Sequence, residues 1–267
     1  MTEADALGEG ARDRLPAPIP PPPSGPGSGT TAPDSDKVMS LVDHLGELRV
    51  RIAKSVLAVA VGSVVGFLFQ KELRRFLISP LPDGSEQLQI LDPGGAFAIT
   101  LRISVIVGII LAMPVLLYQV WAFIAPGLTA SERRTLRPWI PLALGFFVLG
   151  VSIAWFVLPF AVAFLLSFTD EYLVAHLAAA PYFDFVTTLF LAFGLLMEFP
   201  IVLYALSRVG IATSARLTAS RRVVILAIAV FAAVATPGGD IVSPIVLGGT
   251  MYILFELTVF AIRRSGR

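Results

Sequence analysis

Two carboxylates inside apolar segments are the residues of this chain whose placement demands a chemical reason. Glu198 stands in FGLLMEFP and Glu256 in YILFELTVF. Carrying an acid into hydrocarbon costs about 2.5–3.5 kcal/mol on insertion scales, so such a group implies use or a partner. Glu198 follows Gly194 by one helical turn and precedes Pro200 by two residues. Proline has no N–H, so the carbonyl of Leu196 loses its helical donor. The result is a carboxyl beside a notch, suited to carrying a proton or to meeting a polar group on another helix. The structural alternative is a protonated acid satisfied by a neighbouring helix. Glu256 lies closer to the end of its segment, and the same two readings stand open there.

A second pair of acids stands in polar, arginine-rich surroundings: Glu47 in HLGELRVRI and Glu132 in LTASERR. A carboxylate accepts the planar guanidinium fork through two parallel hydrogen bonds, which the compact ammonium of lysine does not match. Local explanations exist for both. Glu47 and Arg51 have the i,i+4 spacing of a helical ion pair. Thr129 and Glu132 have the spacing of a capping box. Enzymatic signatures are absent: there is no Walker loop, no G-x-S-x-G and no H-E-x-x-H. Cysteine is missing, and His44 and His176 are too far apart in sequence to make a metal site alone. No catalytic residue, metal, cofactor or nucleic-acid partner is expected.

The elements that carry these residues belong to a membrane protein. Of the 267 residues 56% are hydrophobic and 15% charged, against about a quarter charged in soluble domains. Residues 1–37, with the run PAPIPPPPSGP, read as a Pro/Gly-rich tail of polyproline character. The first fifteen residues hold four acids and no apolar core, so no cleavable signal peptide is expected and the first span directs insertion. Residues 38–52 read as an amphipathic helix on the membrane surface, with Leu41, Leu45, Leu48 and Ile52 at helical spacing and Ser40 as a cap. Apolar spans follow at about 53–69, 98–118, 139–160, 185–206, 223–235 and 244–262. The fifth has 13 residues, about 20 Å against a hydrocarbon core of about 30 Å. A short true span and a re-entrant hairpin around TPGGD both fit; the short span is preferred. The expected fold is therefore all-α: a six-helix membrane domain over 38–264, spans five and six short, with residues 265–267 as a terminal end.

Charge sets the orientation. With the N-terminus inside, only Lys71, Arg74, Arg75 and Arg102 face out, and the other sixteen of the 20 Lys and Arg face in. That predicts N-in and C-in, with Glu47 and Glu132 on the cytoplasmic face. Arg102, near the outer end of span two, is expected to snorkel outward.

HLGELRVRI, LYQVWAFIAPGLTASERR, FGLLMEFP and the TPGGD turn together resemble the TatC family, receptor subunits of the twin-arginine protein translocase, over about residues 38–264. The family's second proline in the turn is Gly238 here. The resemblance implies a bacterial cytoplasmic-membrane protein that binds twin-arginine signal peptides of folded cargo. It implies a multimeric complex with single-span TatA/TatB-type subunits and transport driven by the proton gradient. It assigns Glu47 and Glu132, flanked by Arg49, Arg51, Arg133 and Arg134, to signal-peptide recognition. It assigns Glu198 to intramembrane contact with partner subunits, and Glu256 is grouped with it as the other intramembrane acid. Phe97, Phe123, Pro80, Pro126 and Asp240 match further family positions. Two alternatives remain at this stage: a proton-coupled small-solute carrier using Glu198, and a pure scaffold.

Overall fold

The computed structural model describes residues 41–81, 88–170, 176–208, 210, 212–236 and 239–264. The tail 1–37, the Ser40 cap, Gly238 and residues 265–267 lie outside the described residues. The chain is helical: α1 (Leu41–Leu68), α2 (Gln70–Ile78), α3 (Gly95–Ile124), a 3₁₀ turn (Ala125–Gly127), α4 (Ala130–Leu136), α5 (Trp139–Leu166), α6 (Ala179–Leu196), α7 (Phe199–Arg208), α8 (Ser214–Ala219), α9 (Arg221–Ala235) and α10 (Val242–Arg264). Among the described residues, five stretches are long and apolar enough to cross a membrane: Leu45–Leu68, Gly95–Gly127, Trp139–Leu166, Ala179–Arg208 and Val242–Arg264.

Three expectations are corrected. The surface helix and span one are a single helix, because nothing between Leu41 and Leu68 breaks the backbone ladder. The last span is not short: α10 has 23 residues, about 34 Å. The fourth apolar stretch begins at Ala179 and breaks at Met197–Glu198 into α6 and α7. Only α9 stays short, at 15 residues, about 22 Å. Pro114 and Pro159 both lie inside continuous helices.

Hydrophobic burial does not drive helices together in lipid, so packing relies on small residues that let backbones touch. Gly62 and Gly66 of α1 lie against Gly108 and Ser104 of α3. A Cβ on Gly62 would come within 2.7 Å of the Gly108 carbonyl oxygen, and one on Gly66 within 2.9 Å of the Ser104 oxygen. Between α5 and α6 the exchange is reciprocal: Gly150 meets the Phe193 carbonyl, and Gly194 lies under the Phe147 ring. The fully buried centre is then filled by Phe147 and Leu158 of α5, Leu189 and Phe193 of α6, and Leu247 and Phe255 of α10.

The end of the bundle that holds α2 is tied across the chain. Gln89 N–H donates to the Leu177 carbonyl at 2.9 Å, and Ala179 N–H to the Gln89 carbonyl at 2.8 Å. The buried Tyr182 hydroxyl donates to the Leu77 carbonyl at 2.7 Å. Arg102 does not simply snorkel: it pairs with Asp184 of α6.

Overpacking a tight interface costs about 1–3 kcal/mol. Gly108→Leu, forced into the α1 backbone, is expected to lower the thermal unfolding midpoint of the purified protein. Gly145→Leu, at a position that meets nothing within 4 Å, should leave it unchanged.

Candidate functional site

The register of α1 against α3 decides where the acids stand. Gly62 faces Gly108, and Gly66, four residues on, faces Ser104, four residues back. Arg51 extends the series toward the other end, its Nη1 donating to Gln119 Oε1 at 3.4 Å. The two helices are therefore antiparallel, and Glu47, one turn before Arg51, stands at the level of the last turn of α3. That turn leads through Ala125–Gly127 to Thr129 and α4. Glu47 and Glu132 thus sit at one end of the molecule, the α4 end.

Both local explanations hold in the structure. Glu47 accepts Nε of Arg51 at 2.9 Å and also its Nη2. Glu132 closes a capping box: its Oε2 accepts the Thr129 N–H at 3.0 Å and the Thr129 hydroxyl at 2.8 Å, while Thr129 Oγ1 accepts the Glu132 N–H at 3.4 Å. Glu47 and Glu132 are half-buried, whereas Arg49, Arg133 and Arg134 are exposed. The buried Gln119 was not singled out from the sequence, although it stands in the YQVWAF stretch. As an uncharged acceptor inside an apolar helix, it is the polar residue there that signals a contact.

Beside this end lies an apolar groove of about 430 Å³. Its walls are the last turns of α3 (Leu117, Val120, Trp121, Ile124), Leu128, the start of α5 (Trp139, Ile140, Ala143) and α7 (Ile201, Val202, Ala205, Leu206). Among the described residues, Glu198 is the single charged residue in the lining. It stands in the break between α6 and α7. Its N–H donates to the Leu195 carbonyl at 3.1 Å, and its own carbonyl takes Ile201 and Val202 N–H at 3.0 and 3.2 Å. Its side-chain Oε1 is buried without a hydrogen-bond partner among the described residues. A stack closes the groove's edge: Trp139 lies on Tyr204 with centroids 3.7 Å apart, and Arg208 lies over the Tyr204 ring and donates to its hydroxyl.

The remaining residues separate. Glu256 is not brought to the groove: its Oε2 accepts Nη2 of Arg221 at 2.6 Å, joining α10 to the start of α9. Asp240 is buried and accepts the Ser243 N–H at 2.6 Å, capping α10. Gly239 beside it has φ +73°, a backbone that favours glycine. Phe97 is exposed near the start of α3, at the α2 end. Phe123 is half-buried in the last turn of α3, Pro126 is exposed in the 3₁₀ turn, and Pro80 follows α2. Among the described residues, no group of three His, Cys, Asp or Glu is placed to hold a metal ion.

Comparison with known proteins places this geometry. The family model described as "Sec-independent protein translocase protein (TatC)" matches residues 43–249. The Sec-independent protein translocase protein TatC of Carboxydothermus hydrogenoformans is 34% identical over 226 residues, covering 84% of this chain and 93% of its own. The protein of the same name from Aquifex aeolicus is 36% identical over 230 residues, covering 83% and 94%. A crystal structure of the twin arginine translocase receptor TatC in DDM superposes with a TM-score of 0.73 at 35% identity. It covers 82% of this chain and 99% of that one.

An ion pair between helices is read by a double-mutant cycle. Arg221→Gln and Glu256→Gln are each expected to lower the thermal midpoint. The double variant should lose less than the two single losses combined, with a coupling of about 1 kcal/mol; strictly additive losses would mean that the pair does not join α9 to α10.

Proposed function

Because this chain belongs to the TatC family of Sec-independent protein translocase proteins, we propose that it is the receptor core of a twin-arginine translocase, gripping the two arginines of a signal peptide with Glu47 and Glu132. It is a multi-pass membrane protein of protein transport. The observation that carries the reading is the placement of two half-buried acids at one end of the α1–α3 pair, next to an apolar groove whose lining holds one charge, Glu198.

The chemistry is an exchange. Glu47 already holds a guanidinium, that of Arg51. An incoming arginine takes the same carboxylate, and Arg51 turns to Gln119, which it already touches. One charge-assisted bidentate contact replaces another, so the acid is never left buried and unpaired, the costly state. Glu132 takes the second arginine while its helix keeps the Thr129 cap. Arg49, Arg133 and Arg134 flank both acids and repel peptides that bring charge without the matching fork. The apolar part of the signal peptide lies along the groove. Glu198 offers its carboxyl to a single-span TatA/TatB-type subunit in a multimeric complex, and the proton gradient drives transport. Glu256, held by Arg221, supports α9 and α10.

The chain sits in the bacterial cytoplasmic membrane with both termini inside and α9 as a sixth, short crossing. The bias of Lys and Arg supports this orientation.

Glu132→Gln separates recognition from folding, because glutamine closes a capping box as glutamate does. Glu47→Gln with Glu132→Gln is expected to weaken cross-linking of a twin-arginine signal peptide about tenfold or more, to abolish the preference over a twin-lysine peptide, and to leave membrane insertion normal. Undiminished capture by the double variant would exclude this site.

The chain has no cysteine, so single cysteines report sidedness without background. A membrane-impermeant maleimide added from outside is expected to label Ser79→Cys and Gly239→Cys and to spare Ser131→Cys and Ser220→Cys. Sparing of Gly239→Cys together with Ser220→Cys, with Ser79→Cys still labelled, would make α9 re-entrant.

A further inference from the structure

Three of the four Lys and Arg that run against the inward charge bias stand on the nine-residue helix α2: Lys71, Arg74 and Arg75. We propose that α2 is a binding site for the headgroups of anionic phospholipids, at the membrane boundary where α1 ends. The inference goes beyond the receptor reading. It needs only that α1 spans the bilayer.

α2 cannot swing away from that boundary. A single residue, Phe69, separates it from α1. Phe69 N–H still donates to the Val65 carbonyl at 3.2 Å, and Leu73 N–H to the Phe69 carbonyl at 3.0 Å. Leu77 is buried, and its carbonyl receives the Tyr182 hydroxyl. Phe76 stacks on Trp155 of α5 with centroids 3.9 Å apart and ring planes 7° from parallel. These contacts fix which arc of the helix faces out. Lys71, Glu72, Arg75 and Phe76 are exposed on one arc, while Arg74 and Ile78 are half-buried at its edge, toward the buried Leu77. Glu72, the single acid of α2, is exposed beside Arg75 on the same arc and leaves that surface with a net positive charge.

The cations on this arc are not consumed internally. Lys71 and Arg75 are exposed and make no ion pair or hydrogen bond among the described residues. Arg74 is half-buried and folded onto Gln70, its Nε on the carbonyl at 3.3 Å and its Nη2 on Oε1 at 3.2 Å. Next to the charge lies surface suited to acyl chains. Phe156 and Phe160 of α5 are 71% and 66% exposed. They line a groove of about 280 Å³ with Ser79, Pro80, Trp155 and Pro159, which begins where α2 ends. A soluble anion or an acidic peptide would use the cations and leave the aromatic groove idle; a lipid uses both.

Cations near an anionic leaflet contribute about 1 kcal/mol each, about five-fold in affinity. The full chain is purified in detergent and titrated with dioleoyl phosphatidylglycerol or dioleoyl phosphatidylcholine. Bound lipid is counted by native mass spectrometry, and the lipid-dependent rise in Tm is followed in parallel. The natural protein is expected to prefer the glycerol lipid. Lys71→Gln, Arg74→Gln and Arg75→Gln together should remove that preference, about five-fold per cation, and leave choline-lipid binding unchanged. The charge-preserving set Lys71→Arg, Arg74→Lys and Arg75→Lys should retain it. Lys71→Gln alone, at an exposed position, should show one step of the loss even where the triple variant does not fold. An undiminished preference in both glutamine variants would overturn the proposal. So would an equal loss on neutralising Arg263 and Arg264 at the far end of the bundle, which would make the effect one of net charge.

Discussion

The contact between the α1 and α3 backbones at Gly62 and Gly108 is the constraint from which the arrangement of the α4 end follows. In lipid the energy of helix association comes from close van der Waals approach rather than from expelled water. With no Cβ on Gly62, Gly66 or Gly108 the helices sit almost in contact, and their register is fixed to the residue. A slip of one residue would turn the small residues away and bring valines into the seam. Because the register is fixed, Arg51 meets Gln119 and Glu47 stands level with the turn that launches α4. The position of Glu47 is thus set by glycines in the interior of the bundle.

Much of the fold was legible in the sequence because lipid imposes a simple rule. Long runs without charge must be helices, and the five longest are. The brevity of α9 was equally plain, since thirteen apolar residues between Arg222 and Thr236 admit little else. What the pattern hid is instructive. No element was expected over residues 70–78, yet α2 forms because Leu73, Leu77 and Phe76 find partners on distant helices. The amphipathic pattern of residues 38–52 suggested a separate surface helix, but a change of polarity does not break a backbone, and α1 continues from Leu41 to Leu68. The pairs Arg102–Asp184 and Arg221–Glu256 join residues far apart in sequence, and only packing brings them together. Of the site, the i,i+4 pair and the capping box were readable from spacing; Gln119 needed the register of α1 on α3.

Glu198 shows how one proline shapes a site. Pro200 removes a helical donor, and the chain answers two residues earlier by tightening into a turn, in which Glu198 N–H reaches back to Leu195. The turn lets α7 diverge from α6, and α7 becomes a wall of the groove that also has α3 and α5 as walls. The carboxyl and the cavity that surrounds it therefore have one cause.

The ties at the α2 end have a mechanical meaning. Gln89 is stitched to Leu177 and Ala179, Tyr182 to Leu77, and Arg102 to Asp184, so the beginnings of α3 and α6 are joined by bonds on several levels. At the opposite end the last turns of α3 and the α5–α7 wall are set apart by the groove. A body clamped at one edge and separated at the other behaves as a clothes-peg. Load applied by a helix wedged into the gap is carried along α3 as a lever arm and resisted at the clamp. A helix wedged into the gap would therefore open the mouth more than the clamp, by leverage alone.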